Sequence, residues 1–401
     1  MASATKESVL PAPARPAQAH RSLAGLDLLR FGAAGLVMLY HLACTAWLAP
    51  SSEAAVLVGQ PIPFPALLPL SSQGWVGVEM FFVISGYVIA YSAARARPSD
   101  FLVNRVLRLM PGVWFCATVS FGLALIFFPD GLLVLAERYV RTLILFPAPR
   151  WIDGVYWTLG VEIAFYSLIY ALLAMRRFDR LEPVILAIGL VSTLAWCLAA
   201  MPLWPDLGRI ISTRGAKLLL LTHGCHFALG VLLWSGMQKG FTVRRWLGLA
   251  LCLVGGLLQI RYDSSFVAAA FGLVRDDRMP LLLYGGFLIL FGLSLRANAV
   301  LLDTYPGVTA ASRKIGLATY PLYLLHTFIG ALAMRFAAAL GLPPAMILAG
   351  GFGAAIAAAL LVSGWIEPPM RASLRRAIEA GTARLRNRGL LAAGRPLRSE
   401  P

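Results

Sequence analysis

The sequence predicts an all-α polytopic membrane protein with about ten transmembrane helices and both termini cytoplasmic. Three observations carry that expectation. Hydrophobic residues make up 59% of the 401-residue chain against 13% charged ones, and mean hydropathy is +0.75, an excess that a soluble core does not need. The apolar residues fall in runs of about 20, the length at which a helix crosses the hydrocarbon layer of a bilayer. Most of the 35 Lys and Arg residues lie on the side of the resulting topology that holds both ends, which makes that side cytoplasmic. The net charge of +16 therefore reflects membrane topology, and nucleic acid is not an expected partner; the lipid bilayer is.

Taken in order, residues 1–22 are rich in Ala and Pro, carry Lys6 and Arg15, and lack the apolar centre of a cleaved signal peptide. They read as a disordered cytoplasmic lead. The first span, 26–48, is LDLLRFGAAGLVMLYHLACTAWL, with Arg30 near its start and His41 about 16 Å further along the axis. Ionisable groups at such depth are costly and tend to be functional, although an arginine at a helix end also snorkels and a lone intramembrane histidine also serves helix packing. A loop rich in Pro and Ser follows at 49–73. The second span, GWVGVEMFFVISGYVIAYSAA, holds Glu79 near its start, and Gly86 within it reads as a helix-packing position.

The stretch FLVNRVLRLMP (101–111) puts Arg105 and Arg108 on one helix face, with Pro111 opening the third span at 112–128. Segment 132–146 contains Glu137, Arg138 and Arg141 and reads as an interfacial helix on the far side. The fourth span, 151–175, begins with the aromatic anchor Trp151, Tyr156 and Trp157 and carries Glu162 about 16 Å below its entry. Spans at 181–201, 216–236, 246–262 and 280–295 follow, with 263–274 read as non-spanning. The ninth, 315–340, contains TYPLYLLH with His326 near its middle, and the tenth, 344–366, stops at Glu367, Pro368 and Pro369. Residues 23–370 thus form one transmembrane domain, and 371–401 a basic cytoplasmic tail.

Depth along these helices sorts the polar residues. Arg30, Arg105 and Arg108 form a cationic layer at the inner face, while His41, Glu79, Glu162 and His326 occupy the middle and outer half. A neutral imidazole can take a proton from a hydroxyl as it attacks a thioester, and either Glu79 or Glu162 could orient the ring. Cations below and a histidine–carboxylate cluster above suit a long ligand that is anionic at one end, such as acyl-coenzyme A. His223 and His226, three apart, could supply two metal ligands, but no carboxylate or thiol partner beyond Cys225 is evident and no metal is expected. Cys44, Cys116, Cys197, Cys225 and Cys252 are scattered and predict neither disulfides nor a zinc site. Gly-x-Ser-x-Gly, P-loop and His-Glu-x-x-His patterns are absent.

Together these stretches resemble the membrane-bound acyltransferase-3 family, which includes O-antigen and exopolysaccharide O-acetylases. The elements LDLLRFGAAGLVMLYH, GVEMFFVISGYVI, FLVNRVLRLMP, WTLGVEIAFY, ATYPLYLLH and a final Glu-Pro at 367–368 come in the family's order and cover Leu26 to Pro369. The resemblance implies transfer of an acyl group, usually acetyl from cytoplasmic acetyl-coenzyme A or another acyl-CoA, to a hydroxyl of a cell-surface or exported carbohydrate. It implies a multi-pass protein of the bacterial inner membrane, with polysaccharide biosynthesis or export proteins as partners. Its signature arginine and histidine fall on Arg30 and His41, with His41 the expected base. Its Arg-x-x-Arg-x-x-Pro element falls on Arg105, Arg108 and Pro111, assigned with Arg30 to the acyl donor because guanidinium forks suit phosphates. Its aromatic-Glu element falls on Trp157, Glu162 and Tyr166, and its last histidine on His326, with Tyr320 and Tyr323 alongside as site support.

The WTLGVE wording and Tyr40 before His41 are most similar to the exopolysaccharide-acetylase branch. Thr319 stands where many relatives have serine, which keeps the hydroxyl. Nothing after residue 370 resembles the soluble SGNH esterase-like domain of some relatives, so the expectation is direct acylation of the acceptor or hand-over to a separate protein. A transporter or flippase for a glycan precursor, in which the same charges line a pathway, is the alternative. A membrane anchor for polymer-synthesis enzymes, hinted at only by the basic tail, is a third.

Overall fold

The computed structural model describes residues 24–304 and 306–387; the expected lead at 1–22 and the end of the basic tail lie outside the described residues. Among the described residues every regular element is helical, and nine helices are long and apolar enough to cross a bilayer. Helix α1, Ala24–Leu48, is widened between His41 and Thr45 into a π-helical turn. The extra residue in such a turn re-aims the side chains that follow. The Thr45 hydroxyl donates to the His41 carbonyl at 2.9 Å, occupying an acceptor inside the distorted turn.

The connection after α1 is more ordered than its Pro and Ser content suggests, with short helices at Glu53–Val58 and Leu68–Ser71. It returns against α1 into α2, Gly77–Ala93. A Cβ on Gly74 would collide with the Leu36 carbonyl oxygen and one on Gly77 with that of Ala33, so α1 and the start of α2 touch backbone to backbone.

Helix α3 runs unbroken over Pro98–Phe127, with Pro111 inside it. This corrects the expectation that Pro111 starts a new span. A proline is tolerated within a membrane helix that is packed among neighbours, and α10 packs at this turn, where the Tyr320 hydroxyl donates to the Leu109 carbonyl at 3.1 Å. Helix α4, Leu132–Leu143, is amphipathic as expected, with Arg138 held to both carboxylate oxygens of Asp130 at 3.0 Å. Helices α5, Trp157–Ala174, and α6, Leu181–Ala199, follow.

The expected span at 216–236 is divided. Arg214–Leu218 forms a short helix, and after a turn α7 runs from Gly224 to Lys239, only 16 residues. At 1.5 Å per residue that is about 24 Å, short of the hydrocarbon thickness. The helix is buried along most of its length, packs mainly on α2 and α6, and is a core element rather than a lipid-facing one. Helix α8 spans Val243–Phe271, so the first part of the segment read as non-spanning, 263–271, is instead its last turns; the helix stops where Gly272 takes a left-handed conformation at φ 63°.

Helix α9 covers Arg278–Thr304, α10 covers Ala310–Ala339, α11 covers Pro344–Leu361 and α12 covers Glu367–Asn387. A second π turn, His326–Gly330, lies inside α10. Because α10 packs along α1, the two π turns meet.

The centre of the bundle is the crossing of α2 and α7. A Cβ on Gly230 would collide with the Val83 carbonyl oxygen, and one on Gly86 with that of Phe227, which bears out the packing reading of Gly86. Replacing Gly230 with alanine should therefore force these helices apart and cost about 1–3 kcal/mol. Thermal unfolding of the purified protein in detergent should show a lowered Tm for Gly230→Ala and none for Gly285→Ala, where nothing lies within 4 Å of the added methyl group; equal behaviour of the two variants would refute the close crossing.

Candidate active site

Two cavities flank the meeting point of α1 and α10. The first, of about 100 Å³, is lined by Arg30, Arg105, Arg108, Glu162, Tyr166 and Tyr320, with Phe81, Phe82 and Leu159 among its apolar walls. The second, of about 400 Å³, is lined by His41, Glu79, Asp263 and Lys217, with Trp75, Trp157 and Tyr40 among its aromatic walls. Val78 and Tyr323 line both, so they form the partition between them. The Tyr323 hydroxyl is held there by donating to the Val155 carbonyl at 3.4 Å and accepting from Thr158 at 3.0 Å.

The arginine cavity is built on aromatic faces. Arg105 lies over the rings of Phe101 and Tyr166, at 5.6 and 5.8 Å to the centroids, and Arg108 lies over Tyr320 at 5.4 Å. Such faces hold guanidinium groups at low desolvation cost. Glu162 belongs here: its Oε1 accepts from Ser85 at 2.8 Å and from Tyr166 at 2.5 Å. Depth alone had grouped Glu162 with His41; the face of α5 on which it sits turns it toward the arginines instead.

The second cavity is organised around two histidines, each opening a π turn. His41 Nδ1 lies 3.0 Å from the Val37 carbonyl and 2.9 Å from His326 Nε2. His326 Nδ1 faces the carbonyls of Leu322 and Tyr323 at 3.2 and 2.9 Å. A carbonyl accepts only, so in the neutral pair Nδ1 of His326 carries its proton and its Nε2 is an acceptor; Nδ1 of His41 is then the donor to it. That fixes the unprotonated nitrogen of His41 as Nε2, on the side of the ring away from His326. Neither Glu79 nor Glu162 is a hydrogen-bond partner of His41 among the contacts of these described residues; His326 holds the ring.

Glu79 is set on a different wall. The Gln259 amide donates one N–H to Glu79 Oε1 at 2.9 Å and another to Asp263 Oδ2 at 2.5 Å. Its carbonyl accepts from His226 Nε2 at 2.9 Å, and His226 Nδ1 accepts from the Tyr284 hydroxyl at 2.6 Å. The chain of donors admits one orientation of the amide, and it clamps two carboxylates side by side. Glu79 Oε2 and both ring nitrogens of His223 are buried without a hydrogen-bond partner, 3.5 Å separating Glu79 Oε2 from His223 Nδ1.

Glu79, His223 and His226 offer atoms within 4.8 Å of one another that could ligate a metal. Both nitrogens of His226 are already committed, which leaves two ligands, fewer than a structural or catalytic zinc site uses. Across the cavity, in the connection ahead of the spanning part of α5, Asp153 is buried and accepts from the Val155 N–H at 3.0 Å. Burial, and then the nearby Glu53 carboxylate, push its carboxyl well above the usual carboxylate range.

The structure thus brings His41, Trp157, Tyr323 and Glu79 together around one cavity, with His326 hydrogen-bonded to His41, and Arg30, Arg105, Arg108, Glu162, Tyr166 and Tyr320 around the other. Sequence reasoning missed Lys217, Gln259 and Asp263. The signal for the last two was a polar pair four residues apart, hence on one face, at the end of an apolar run.

The family profile described as "Acyltransferase domain" matches residues 23–364. The exopolysaccharide production protein ExoZ of Rhizobium meliloti (strain 1021) is 29% identical over 330 residues, covering 77% of this chain and 94% of that protein. The O-acetyltransferase OatA of Staphylococcus aureus (strain NCTC 8325 / PS 47) is 25% identical over 339 residues, 76% of this chain and 50% of that protein. An O-acetyl transferase of Shigella phage Sf6 is 29% identical over 175 residues, 37% of this chain and 51% of that protein. No solved structure gives a significant match.

The clamp on the carboxylates depends on a hydroxyl outside the cavity. Tyr284→Phe should leave His226 Nδ1 without its donor and cost about 1–3 kcal/mol, seen as a lower Tm in detergent. An unchanged Tm would mean that the chain from Tyr284 to Gln259 does not fix the amide.

Proposed function

Because the chain belongs to the acyltransferase-3 family and is an O-acetyltransferase, we propose that it moves an acetyl group from acetyl-coenzyme A, or a related acyl-CoA, across the membrane interior to a carbohydrate hydroxyl. Both termini face the cytoplasm in this reading, with α7 and the short Arg214–Leu218 helix ahead of it counted as a tenth crossing beside the nine longer helices, as the Lys and Arg distribution favours, which puts the arginine cavity on the donor side. The protein is a multi-pass integral membrane protein, and the bacterial inner membrane is where cytoplasmic acyl-CoA and an exported glycan meet.

The observation that carries the reading is the His41–His326 pair beside a partition that has guanidinium groups on one face and carboxylates and aromatic rings on the other. Arg30, Arg105 and Arg108 bind the donor's phosphates bidentately. The donor's phosphates meet these arginines, and its pantetheine arm carries the thioester toward Val78 and Tyr323, which line the same cavity. Glu162 acts as a positioning residue among the arginines, and Tyr166 and Tyr320 hold the guanidinium planes.

Neutral His41 then takes the proton of the acceptor hydroxyl on Nε2 while that oxygen attacks the thioester carbonyl. His326 accepts from the imidazolium's Nδ1–H and so stabilises the charge as it forms. Collapse of the tetrahedral intermediate breaks the C–S bond; His41 returns its proton to the departing thiolate, and ester and free coenzyme A leave on opposite sides. Trp157 and Glu79 lie on the acceptor side. Direct transfer needs no second protein, since hydroxyl and thioester reach the same imidazole.

Reconstituted in nanodiscs with acetyl-CoA and envelope glycan, His41→Ala should lower kcat by ~10²–10⁴, the usual contribution of a general base, with donor binding retained. His326→Ala should lower kcat less and leave the donor KM unchanged. Full activity of His41→Ala would end the assignment. Arg105→Ala with Arg108→Ala should raise the donor KM more than it lowers kcat; an unaltered donor KM would remove the phosphate role.

A further inference from the structure

We infer that the cavity beside His41 selects an acceptor ring bearing no acidic group, and that it does so through carboxylates held ready to accept from sugar hydroxyls. The inference rests on the acyl-transfer reading above and specifies its acceptor. Four carboxyl side chains line the cavity, Glu53, Glu79, Asp153 and Asp263, against one ammonium, Lys217. The Lys217 ammonium lies 4.4 Å from the centroid of the Trp157 ring, which holds it against that ring by cation–π attraction. Burial keeps the Asp153 carboxyl protonated, so a uronate or other acidic ring would bring its own negative charge among the remaining carboxylates, in a partly enclosed site where water screens poorly. A neutral ring meets no such penalty.

The hydrogen-bond pattern points the same way. Gln259 spends both amide N–H groups on Glu79 and Asp263, so the two carboxylates are fixed as acceptors before any ligand arrives. A neutral sugar supplies the matching donors in its hydroxyls, whereas a sugar carboxylate brings only more acceptors. Buried polar atoms without partners are rare enough to need a reason. Glu79 Oε2 and the two ring nitrogens of His223 form such a group on this wall, and hydroxyls that both donate and accept would satisfy all three. Trp75 and Tyr40 add aromatic surface to the same cavity for the C–H side of a sugar ring.

The test has two arms. Fragment-ion mass spectrometry of surface glycans from wild-type, deletion and His41→Ala cells should locate every gene-dependent acetyl group on a ring without an acidic substituent. Acetyl on a uronate would overturn the inference while leaving the acyl-transfer reading intact; no gene-dependent acetyl at all would remove that reading and the inference with it. In nanodiscs, glucose tetrasaccharide should inhibit His41-dependent coenzyme A release from acetyl-CoA and envelope glycan at a concentration about tenfold or more below that needed for the glucuronate tetrasaccharide. Glu79→Gln should shrink this ratio by admitting the acidic competitor, and Asp263→Asn is the second variant should the first not fold. Equal inhibition by both oligosaccharides in the wild type would sink the proposal.

Discussion

The 2.9 Å hydrogen bond between His41 and His326 is the contact on which the rest of the site depends. In the membrane interior an imidazole has no water to complete its hydrogen bonds, so its tautomer is dictated by the protein groups around it. Carbonyls of Leu322 and Tyr323 fix the proton of His326, and that in turn fixes the proton of His41. Each histidine begins a π turn, and the distortion belongs to the same device. Widening the helix gives backbone carbonyls new neighbours: the His41 carbonyl receives the Thr45 hydroxyl, and the Tyr323 carbonyl faces the His326 ring.

Around that pair the fold separates two kinds of charge that would otherwise neutralise one another. Guanidinium groups from α1 and α3, with Glu162 among them, gather on one side of Val78 and Tyr323, and carboxyl groups from α2, α8 and two connections, with Lys217 among them, on the other. Coulomb attraction between them would be strong at low dielectric, and a collapsed salt-bridge cluster would fill the space a substrate needs. Aromatic faces back the guanidinium groups on one side, and the Gln259 amide holds two carboxylates in place on the other. The glycine crossing of α2 and α7 is what lets a short helix sit centrally enough to bring His223 and His226 to the cavity wall and to the Gln259 clamp.

Much of this was legible in the sequence. Apolar runs of spanning length mark most of the helices, because length and hydropathy are set by the bilayer itself. Arg30, His41, Arg105, Arg108 and His326 stood out as polar exceptions within such runs. What the sequence did not yield is azimuth and neighbourhood. Counting residues along a helix gives depth at 1.5 Å per step, and at equal depth His41 and Glu162 seemed companions; which face meets which neighbour is decided by packing. The same gap hid the Gln259–Asp263 pair, since hydropathy falls there and the apolar run was taken to end, whereas α8 continues to Phe271. Pro111 misled for the opposite reason: a residue that ends helices in water is tolerated inside one here, where α10 packs against α3.

The partition decides what the histidine pair can do. A transporter needs its charged groups along one pathway that opens alternately to each side. Here the two linings differ in sign and size, and they share only Val78 and Tyr323, with the Tyr323 hydroxyl anchored to Val155 and Thr158. Passage of a whole sugar would require that anchor to break and a ring to pass from carboxylates to guanidiniums. Passage of an acetyl group requires only that a thioester reach the partition from one side and a hydroxyl from the other. The asymmetry of the cavities is therefore the physical reason to read the charges as belonging to two substrates that meet, rather than to one substrate that moves.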